Sequence, residues 1–322
     1  MPDLNVGGQA VIEGVMMRGK DKVATAVRIS NGHILVKTED FKSLSARFKP
    51  LRLAIIRGAI AFVEMLVVGI RTLNFSAEVA MKELEKEKQA EDDKRKNKSG
   101  PSSNALWLAL SVVFALTAGI FIFFFLPLAI SNVFNIDKNA VWFNLVAGGI
   151  RLTMFVLYVW VISLFADFQR IFQYHGAEHK SIFAYEMGDE LTPERASGHT
   201  RFHPRCGTSF ILIVALFAIL TYAISDTIYA LLSGHPPALL TRFGIHFALL
   251  PLVAGASYEL LKLSGKTRDS KITRLLIQPG LWLQRITTKE PSVDQLEVAI
   301  VALESALGLT ESKVLAKRTA VT

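Results

Sequence analysis

The sequence predicts a mainly α-helical, polytopic membrane protein with a small β unit at its N-terminal end. Of its 322 residues, 51% are hydrophobic, and the mean hydropathy of +0.36 is high for a soluble domain. The hydrophobic residues form runs long enough to cross a bilayer, at about 105–130, 141–165, 210–232 and 245–263. These runs predict four transmembrane helices, grouped as 105–165 and 210–263.

The distribution of lysine and arginine predicts the orientation of these helices. The loops at 131–140 and 233–242 hold one such residue each, whereas 1–52, 74–104, 166–207 and 264–322 hold nine, seven, five and nine. Because basic segments remain on the cytosolic side, we expect both termini to be cytosolic. The same bias accounts for the net charge of +8. The basic residues form no stripe interleaved with aromatic residues, so we expect the lipid bilayer, and not a nucleic acid, as the partner.

Residues 1–50 are predicted to form a cytosolic β unit. Three short runs rich in β-branched residues, GQAVIEGVMM, ATAVRIS and HILVKTE, are separated by residues typical of turns. Asn31 and Gly32 between the last two runs are a strong signal for a hairpin turn.

The segment 51–75 is apolar enough to span, but Arg57, Glu64 and Arg71 recur in it every seven residues. Seven residues are nearly two helical turns, so the three charges share one face. Placing them in lipid would cost roughly 2.5–3.5 kcal/mol each. We therefore expect an interfacial or re-entrant helix, which also keeps the basic N-terminal region in the cytosol.

Two further segments are expected to be cytosolic. Residues 76–104 are highly charged and end in Gly, Pro and Ser, which predicts a disordered linker whose first half could extend a helix through Glu–Lys pairs. In the amphipathic C-terminal region 264–322, Ser292 and Gln295 form a capping box and Gly308 is a stop signal. The helix between them should dock on the cytosolic domain, with a partner protein as the alternative. Its apolar stripe comprises Val293, Leu296, Ile300, Leu303 and Leu307.

Two charged residues lie inside predicted spans. Arg151 is near the outer end of its span, where a long side chain can snorkel to the interface. Glu259 is one turn from Lys262, which is placed to neutralise it. We expect structural pairing for both residues and not a transport path.

The cytosolic segment 166–209 is predicted to hold the chemistry. Four of the seven histidines and the only cysteine lie between His175 and Cys206. His175 and His179 are four residues apart and would share one face of a helix, in the order H-x-x-E-H known from metal-dependent hydrolases. With His203 and Cys206 they form the expected ligand set for a divalent metal, preferably zinc and next iron.

Other residues of this segment have supporting roles in the same hypothesis. Glu178 is the candidate general base for a metal-activated water. His199 and Glu186 are reserve ligands, and Arg201 and Arg205 would favour the thiolate of Cys206. One alternative is a polar helix that carries two histidines without a metal. Another is a metal-free site in which Cys206 is the nucleophile and His203 its base.

Several long motifs resemble the YqhQ-like family of bacterial membrane proteins. They are GGQAVIEGVMMRG, HGAEHK, HPRCGTSF, PGLWLQRITTKEP and QLEVAI, and the resemblance extends from about residue 5 to residue 307. It implies a multi-pass protein of the bacterial cytoplasmic (inner) membrane, in a family described as predicted metal-dependent enzymes. Its motifs draw attention to Glu13, Arg18, His175, Glu178, His179, His203 and Cys206.

These observations favour a membrane-bound metal-dependent enzyme, a hydrolase acting at the cytosolic face. The glycine-bearing stretch with Glu13 and Arg18 is expected to pack near the His-rich segment and to contribute to the site. A metal-stabilised scaffold, or a partner in membrane-protein biogenesis, is the main alternative, and a transporter is the third. A closed site of four protein ligands would favour the scaffold.

Overall fold

The computed structural model describes residues 6–92, 105–134, 139–266, 271–309 and 318–320. The strands are β1 (Gly7–Val11), β2 (Gly14–Arg18), β3 (Lys22–Arg28), β4 (Ile34–Asp40) and β5 (Arg318–Ala320). The first helices are α1 (Leu44–Arg47), α2 (Ala54–Asp92), α3 (Ala105–Ile120), α4 (Leu126–Val133), α5 (Ala140–Ile162) and α6 (Ala166–Met187). They are followed by α7 (Pro193–Ser197), α8 (Gly207–Ser233), α9 (Leu239–Ala248), α10 (Leu250–Lys266), α11 (Lys271–Thr287) and α12 (Val293–Leu307). A 3-10 helix covers Lys49–Arg52, and a π-helical turn, Phe121–Phe125, joins α3 to α4.

The N-terminal strands confirm the predicted β unit. Strands β1 to β4 pair antiparallel in chain order, and β5 pairs parallel with β4. The hairpin turn at Asn31 and Gly32 is confirmed, with a φ of +83° at Gly32. The run GQAVIEGVMM is two strands and not one, because the chain reverses at Ile12 and Glu13. Glu13 has a φ of +55°, a left-handed conformation that is strained for a residue with a Cβ.

Helix α12 lies at the centre of the core that the N-terminal sheet and α6 form. It packs against α6 and against β2 and β3. The capping box of Ser292 and Gln295 and the left-handed Gly308 cap are both present, so the predicted ends are confirmed. Val298, Val301 and the intervening residues are buried as well as the predicted stripe, because the helix is covered on two sides. Val293, at the first turn, is the exposed member of the stripe.

Helix α2 runs without a break from Ala54 to Asp92. The first half of the segment 76–104 therefore extends the preceding helix, as its Glu–Lys pairs allowed, and residues 76–92 are not part of a disordered linker. Ion pairs of Lys82 with Glu78 and of Lys86 with Glu83 lie along this extension, and such pairs stabilise a helix that leaves the core. Residues 93–104 of the predicted linker lie outside the described residues.

The charged face of α2 contacts protein. Arg57 forms a two-pronged ion pair with Glu259 of α10, with N–O distances of 2.6 and 2.7 Å. Glu64 accepts the backbone N–H of Leu44 at 2.6 Å. Glu259 is therefore paired with α2, which agrees with the expected structural pairing. The side chain of Lys262 lies outside the described residues. Helices α2 and α10 pack closely at Gly58, where a Cβ would lie 2.5 Å from a backbone oxygen.

The apolar helices agree with the predicted spans except in one place. Val113–Val133, Ala140–Ile162 and Ile213–Ser233 are long and apolar enough to cross a membrane. The fourth predicted span, 245–263, is divided between α9 and α10, which meet at an angle of 46°. Pro251 in the first turn of α10 explains the break, because its ring would clash within a continuous helix. The described residues thus contain three helices that are long and apolar enough to cross a membrane, or four if the bent pair is one span.

A polar network is buried among these helices. Asp226 of α8 pairs with Arg242 at 2.9 Å and with His246 at 3.0 Å, and all three side chains are fully buried. Asn144 of α5 donates to the same carboxylate at 2.9 Å. The Arg242 guanidinium lies over the ring of Phe143. We call these residues the Asp226 network. Arg242 is the one basic residue of the predicted loop 233–242, and nothing in the sequence pattern singles out Asp226 as its partner.

Arg151 also binds inside the helix layer. Its Nε donates to the carbonyl of Phe123 at 2.9 Å, and its guanidinium lies over the ring of Phe124. Phe123 is in the π-helical turn, where irregular backbone geometry leaves carbonyls available to other donors. These contacts support the expected structural pairing of Arg151.

Candidate metal centre

Helix α6 places the H-x-x-E-H motif on one continuous helix. The helix ends at Gly188, whose φ of +79° is the usual left-handed cap. As the four-residue spacing requires, His175 and His179 project from the same face, with ring centroids 4.5 Å apart. Glu178 precedes the second histidine and is also buried.

Cys206 reaches these histidines at the end of the loop that follows α7. Its Sγ lies 3.2 Å from Nε2 of His175. One donor atom each from His175, His179 and Cys206 lies within 4.8 Å of the others. We call these three residues the His/Cys cluster.

Backbone carbonyls orient both imidazole rings. Nδ1 of His175 lies 2.8 Å from the oxygen of Thr287, and Nδ1 of His179 lies 2.5 Å from the oxygen of Arg201. A carbonyl only accepts, so each Nδ1 carries the proton and donates it. Each Nε2 is then left with a lone pair, which is the arrangement that second-shell carbonyls impose on metal-binding histidines.

The state of His179 adds to this picture. Its Nε2 is buried and, among the described residues, has no hydrogen-bond partner other than the nearby Cys206. Burial lowers the pKa of the imidazole and the neighbouring His175 lowers it further, whereas Cys206 opposes the decrease. The decrease favours the neutral ring, which is the form that binds a metal.

His203 does not belong to the His/Cys cluster, although its ring centroid is 5.6 Å from that of His179. Its Nδ1 accepts the backbone N–H of Arg205 at 3.2 Å, and its Nε2 faces Glu186 at 3.7 Å. These contacts turn both nitrogens away from the cluster. The expected four-ligand set is therefore reduced to three, with His203 adjacent.

The two reserve ligands are engaged elsewhere. His199 lies 2.6 Å from the carboxylate of Asp189, and Glu186 pairs with Arg205. Arg201 donates to the carbonyl of Thr288. Arg201 and Arg205, which were expected to favour a thiolate at Cys206, thus bind other acceptors as well. These contacts hold the loop before Cys206 against α6 and the residues after α11.

Glu178 lies against the edge of the N-terminal sheet. A hydrogen bond from the backbone N–H of Gly8 favours its ionised form, but burial is the larger effect and raises the pKa of the carboxyl. His175 and His203 oppose that increase. Gly8 has to be small here, since a Cβ at that position would lie 2.9 Å from Cγ of Glu178.

A cavity of about 530 Å³ opens beside this carboxylate, and we call it the polar cavity. The site residues that line it are Glu178, His179, His203 and Cys206, together with Arg18 and Lys20 of the N-terminal sheet.

The two N-terminal site residues differ in their positions. Arg18 lines the polar cavity, contacts the sulfur of Met65 at 2.7 Å and lies 4.1 Å from the centre of the Phe41 ring. Burial lowers its pKa, against the opposing charge of Glu64. Glu13, by contrast, pairs with Arg170 and Tyr174 on the preceding turns of α6. It holds the sheet against that helix and is not among the lining residues of the polar cavity.

Sequence reasoning missed the supporting residues of α11. Gln284 bridges the backbone of His203, accepting its N–H and donating to its carbonyl, both at 2.8 Å. Thr287 supplies the carbonyl that orients His175. Both residues lie in the PGLWLQRITTKEP motif, and the length of that motif was the signal available in the sequence. Neither a glutamine nor a threonine in it indicates a metal site by itself.

The donor set fits a divalent metal. Two neutral imidazoles and one cysteine sulfur are ligands that zinc and iron accept. The buried Nε2 of His179 has only Cys206 as a neighbouring polar partner among the described residues, and a metal would satisfy both atoms. Three protein ligands would leave a fourth position for water or substrate, as in catalytic zinc sites.

Comparison with known proteins identifies the family of the chain. The family model described as "Protein of unknown function (DUF1385)" matches residues 53–309. The protein is 34% identical over 314 residues to "Uncharacterized protein YqhQ" of Bacillus subtilis (strain 168), covering 94% of this chain and 92% of the relative. No solved structure matches. The resemblance inferred from the motifs is thereby confirmed, and the chain belongs to the DUF1385 family of YqhQ-like proteins.

Proposed function

We propose that the protein is a membrane-bound metal-dependent hydrolase that acts at the cytosolic face of the bacterial inner membrane. The observation that carries this proposal is the His/Cys cluster, in which three donor atoms converge within 4.8 Å beside a cavity. Glu178 lines the same cavity as His179 and Cys206. A ligand set and a neighbouring carboxylate are the two parts that metal-assisted hydrolysis requires.

Each residue has a definite part in this reaction. His175, His179 and Cys206 would hold zinc, or secondarily iron, and the bound ion would supply Lewis-acid activation of water and of a substrate oxygen. Glu178 takes a proton from the attacking water and later returns it to the leaving group. Burial raises the pKa of its carboxyl, which brings it closer to the value of an effective general base at neutral pH.

The membrane location rests on the surfaces of the apolar helices. Phe114 on α3 is 74% exposed, Trp142 on α5 is 61% exposed and Leu232 on α8 is 84% exposed. Large apolar surfaces of this kind belong in lipid or against another protein. The lysine and arginine asymmetry supports four spans with both termini in the cytosol.

The alternative is a metal-stabilised scaffold without catalysis. The observation that favours it is the proximity of His203, whose ring is 5.6 Å from that of His179. A rotation that brought His203 in as a fourth ligand would close the site. Transport is the less favoured third reading, since the charges of the Asp226 network are paired with each other.

Metal analysis of protein purified without chelators tests the proposal. We expect about one zinc or iron ion per chain, with a loss to background in His179→Ala and Cys206→Ala. His235→Ala is the matched control, because His235 is exposed and contacts Tyr229 and not the cluster. Wild-type protein without stoichiometric metal would refute the proposal.

Cobalt substitution separates the enzyme from the scaffold. If a coordination position is open, an added small anion should change the visible spectrum of the cobalt protein, and Glu178→Gln should keep the cobalt. A spectrum that does not respond to the anion would indicate four protein ligands and would favour the scaffold.

A further inference from the structure

An apolar groove along α2 adjoins the polar cavity. This groove has a volume of about 400 Å³, and we call it the α2 groove. Met65, Gly207 and Tyr258 line both the polar cavity and the α2 groove. A ligand that occupied both spaces would therefore pass between the side chains of Met65 and Tyr258.

The groove presents a continuous apolar stripe. Phe62, Leu66, Ile70 and Leu73 line it, and their side chains are 39–53% exposed. Their spacing of three or four residues puts them on one face of the helix. At a rise of 1.5 Å per residue, the stripe is about 16 Å long. This shape fits one extended hydrocarbon chain.

The cavity end of this path is positively charged. Arg18 and Lys20 line it, and among the described residues no carboxylate is within ion-pair distance of the Arg18 guanidinium. Its contacts are the Phe41 ring and the Met65 sulfur. Met65 thus touches both the cation and the groove. An anionic headgroup beside Arg18 and Lys20 would have its chain directed along α2.

A second apolar groove provides a contrast. Val141, Leu145, Leu216, Leu220 and other apolar residues of α5 and α8 line a groove of about 570 Å³. No charged residue lines it. General contact with bilayer lipid would suit that groove, whereas the α2 groove alone of these two leads to charges and to the His/Cys cluster.

We propose that the protein binds an anionic phospholipid-like amphiphile, with its phosphate-bearing headgroup in the polar cavity and one acyl chain in the α2 groove. This proposal names the substrate class of the site, and in that respect it rests on the proposed hydrolase function. The headgroup would lie next to Glu178 and the His/Cys cluster, and the scissile bond would be an ester of that headgroup.

Photo-crosslinking in nanodiscs of phosphatidylcholine tests the proposal. The full-length protein is incubated with a single-chain alkyl phosphate that carries a diazirine near the end of its chain, and labelled peptides are identified by mass spectrometry. We expect label on α2 between Phe62 and Leu73. Dodecyl phosphate should compete, and shorter alkyl phosphates should compete about two- to fourfold less well for each methylene removed. Inorganic phosphate and dodecyltrimethylammonium should not compete.

Substitutions distinguish this site from general lipid contact. Leu66→Trp should fill the α2 groove and reduce labelling at least fivefold. Leu220→Trp is the matched control, since Leu220 is 57% exposed in the α5–α8 groove against 53% for Leu66 in the α2 groove. Lys20→Glu, at an exposed position, should weaken competition by dodecyl phosphate several-fold, and Arg18→Lys should retain more of it than Arg18→Gln.

Each outcome decides the proposal. Equal labelling of both grooves, or labelling that resists both Leu66→Trp and Lys20→Glu, would overturn it. Specific labelling of α2 in protein that contains no metal would support the lipid site and remove the hydrolase function. Stoichiometric metal without specific labelling of α2 would support the metal site and overturn the lipid site.

Discussion

The two buried polar clusters of the molecule differ in the chemistry of their members. In the Asp226 network a carboxylate faces a guanidinium, so negative charge meets positive charge, and an imidazole is a further hydrogen-bond partner. In the His/Cys cluster two imidazole nitrogens with lone pairs face a cysteine sulfur, so electron-pair donors meet each other. The first cluster is enclosed by helices, and the second adjoins the polar cavity.

The comparison teaches that burial alone does not identify a functional site. A buried ion pair is compensated by its own partner and contributes to how the helices are held together. Converging donors are compensated only by a shared proton or a cation. A site of the second kind therefore indicates a ligand, whereas one of the first kind indicates a structural role.

The largest effect should come from breaking the Asp226 network. Asp226→Ala leaves the fully buried Arg242 without its carboxylate, and we expect a loss of about 3–5 kcal/mol in the free energy of unfolding. Thermal unfolding in detergent measures it. Asp189→Ala is the control, because that partly exposed carboxylate pairs with His199 at the surface. Equal unfolding temperatures for the two variants would remove the structural role of the network.

The next largest effect should be the stabilisation of the fold by added zinc, which should depend on the His/Cys cluster and not on the Asp226 network. At a free concentration 100-fold above its dissociation constant, zinc should raise the free energy of unfolding of the wild type by about 2.7 kcal/mol. His179→Ala should gain nothing, while Asn144→Ala, in the Asp226 network, should keep the full gain. The comparison would fail if zinc stabilised His179→Ala as strongly as the wild type in the same titration.

A smaller effect is expected at the support of the cluster. Gln284→Leu removes both hydrogen bonds to the buried backbone of His203, which should cost about 1–3 kcal/mol. It should also weaken metal binding roughly tenfold or more, because the loop it holds carries Cys206. Denaturant unfolding and zinc titration measure the two losses. Gln169→Leu, at an exposed position, should change neither, and an unchanged zinc affinity in Gln284→Leu would contradict the positioning role.

The smallest effect is expected at the Glu83 ion pair, which serves as a comparison for the two buried clusters. Hydrogen bonds from Lys86 and Ser30 lower the pKa of Glu83 to about 2. A carboxyl pKa that is lower in the folded state stabilises the fold at pH values above the pKa of the unfolded state, about 4.3. That stabilisation is lost as the pH falls toward 2. Glu83→Gln should thus cost about 0.2–1 kcal/mol at pH 7. The difference from the wild type should shrink below pH 4; a constant difference between pH 7 and pH 3 would show that charge is not its cause.

Features that depend on near neighbours in the chain were predictable. The capping box of α12, the turn at Gly32 and the common face of His175 and His179 all follow from spacings of a few residues. The apolar runs likewise predicted the helices that are long enough to cross a membrane. Local geometry decides each of these features, and the sequence states it directly.

Features that depend on distant partners were not predictable in the same way. His203 has a ligand-type side chain, but Glu186 and the backbone at Arg205 orient its ring. Asp226 became part of a network only because two other helices, α5 and α9, bring partners to it.

The sequence by itself determined the long apolar helices other than the broken fourth one, helix α12, the N-terminal strands and the positions of the ligand-type side chains, since propensity, periodicity and side-chain chemistry are local properties. Only the tertiary structure decided that His175, His179 and Cys206 converge and that Arg57 pairs with Glu259. It alone placed the α2 groove beside the polar cavity. The physical reason is that the orientation of a side chain and the interaction partners of a buried charge depend on packing between segments that are far apart in the chain.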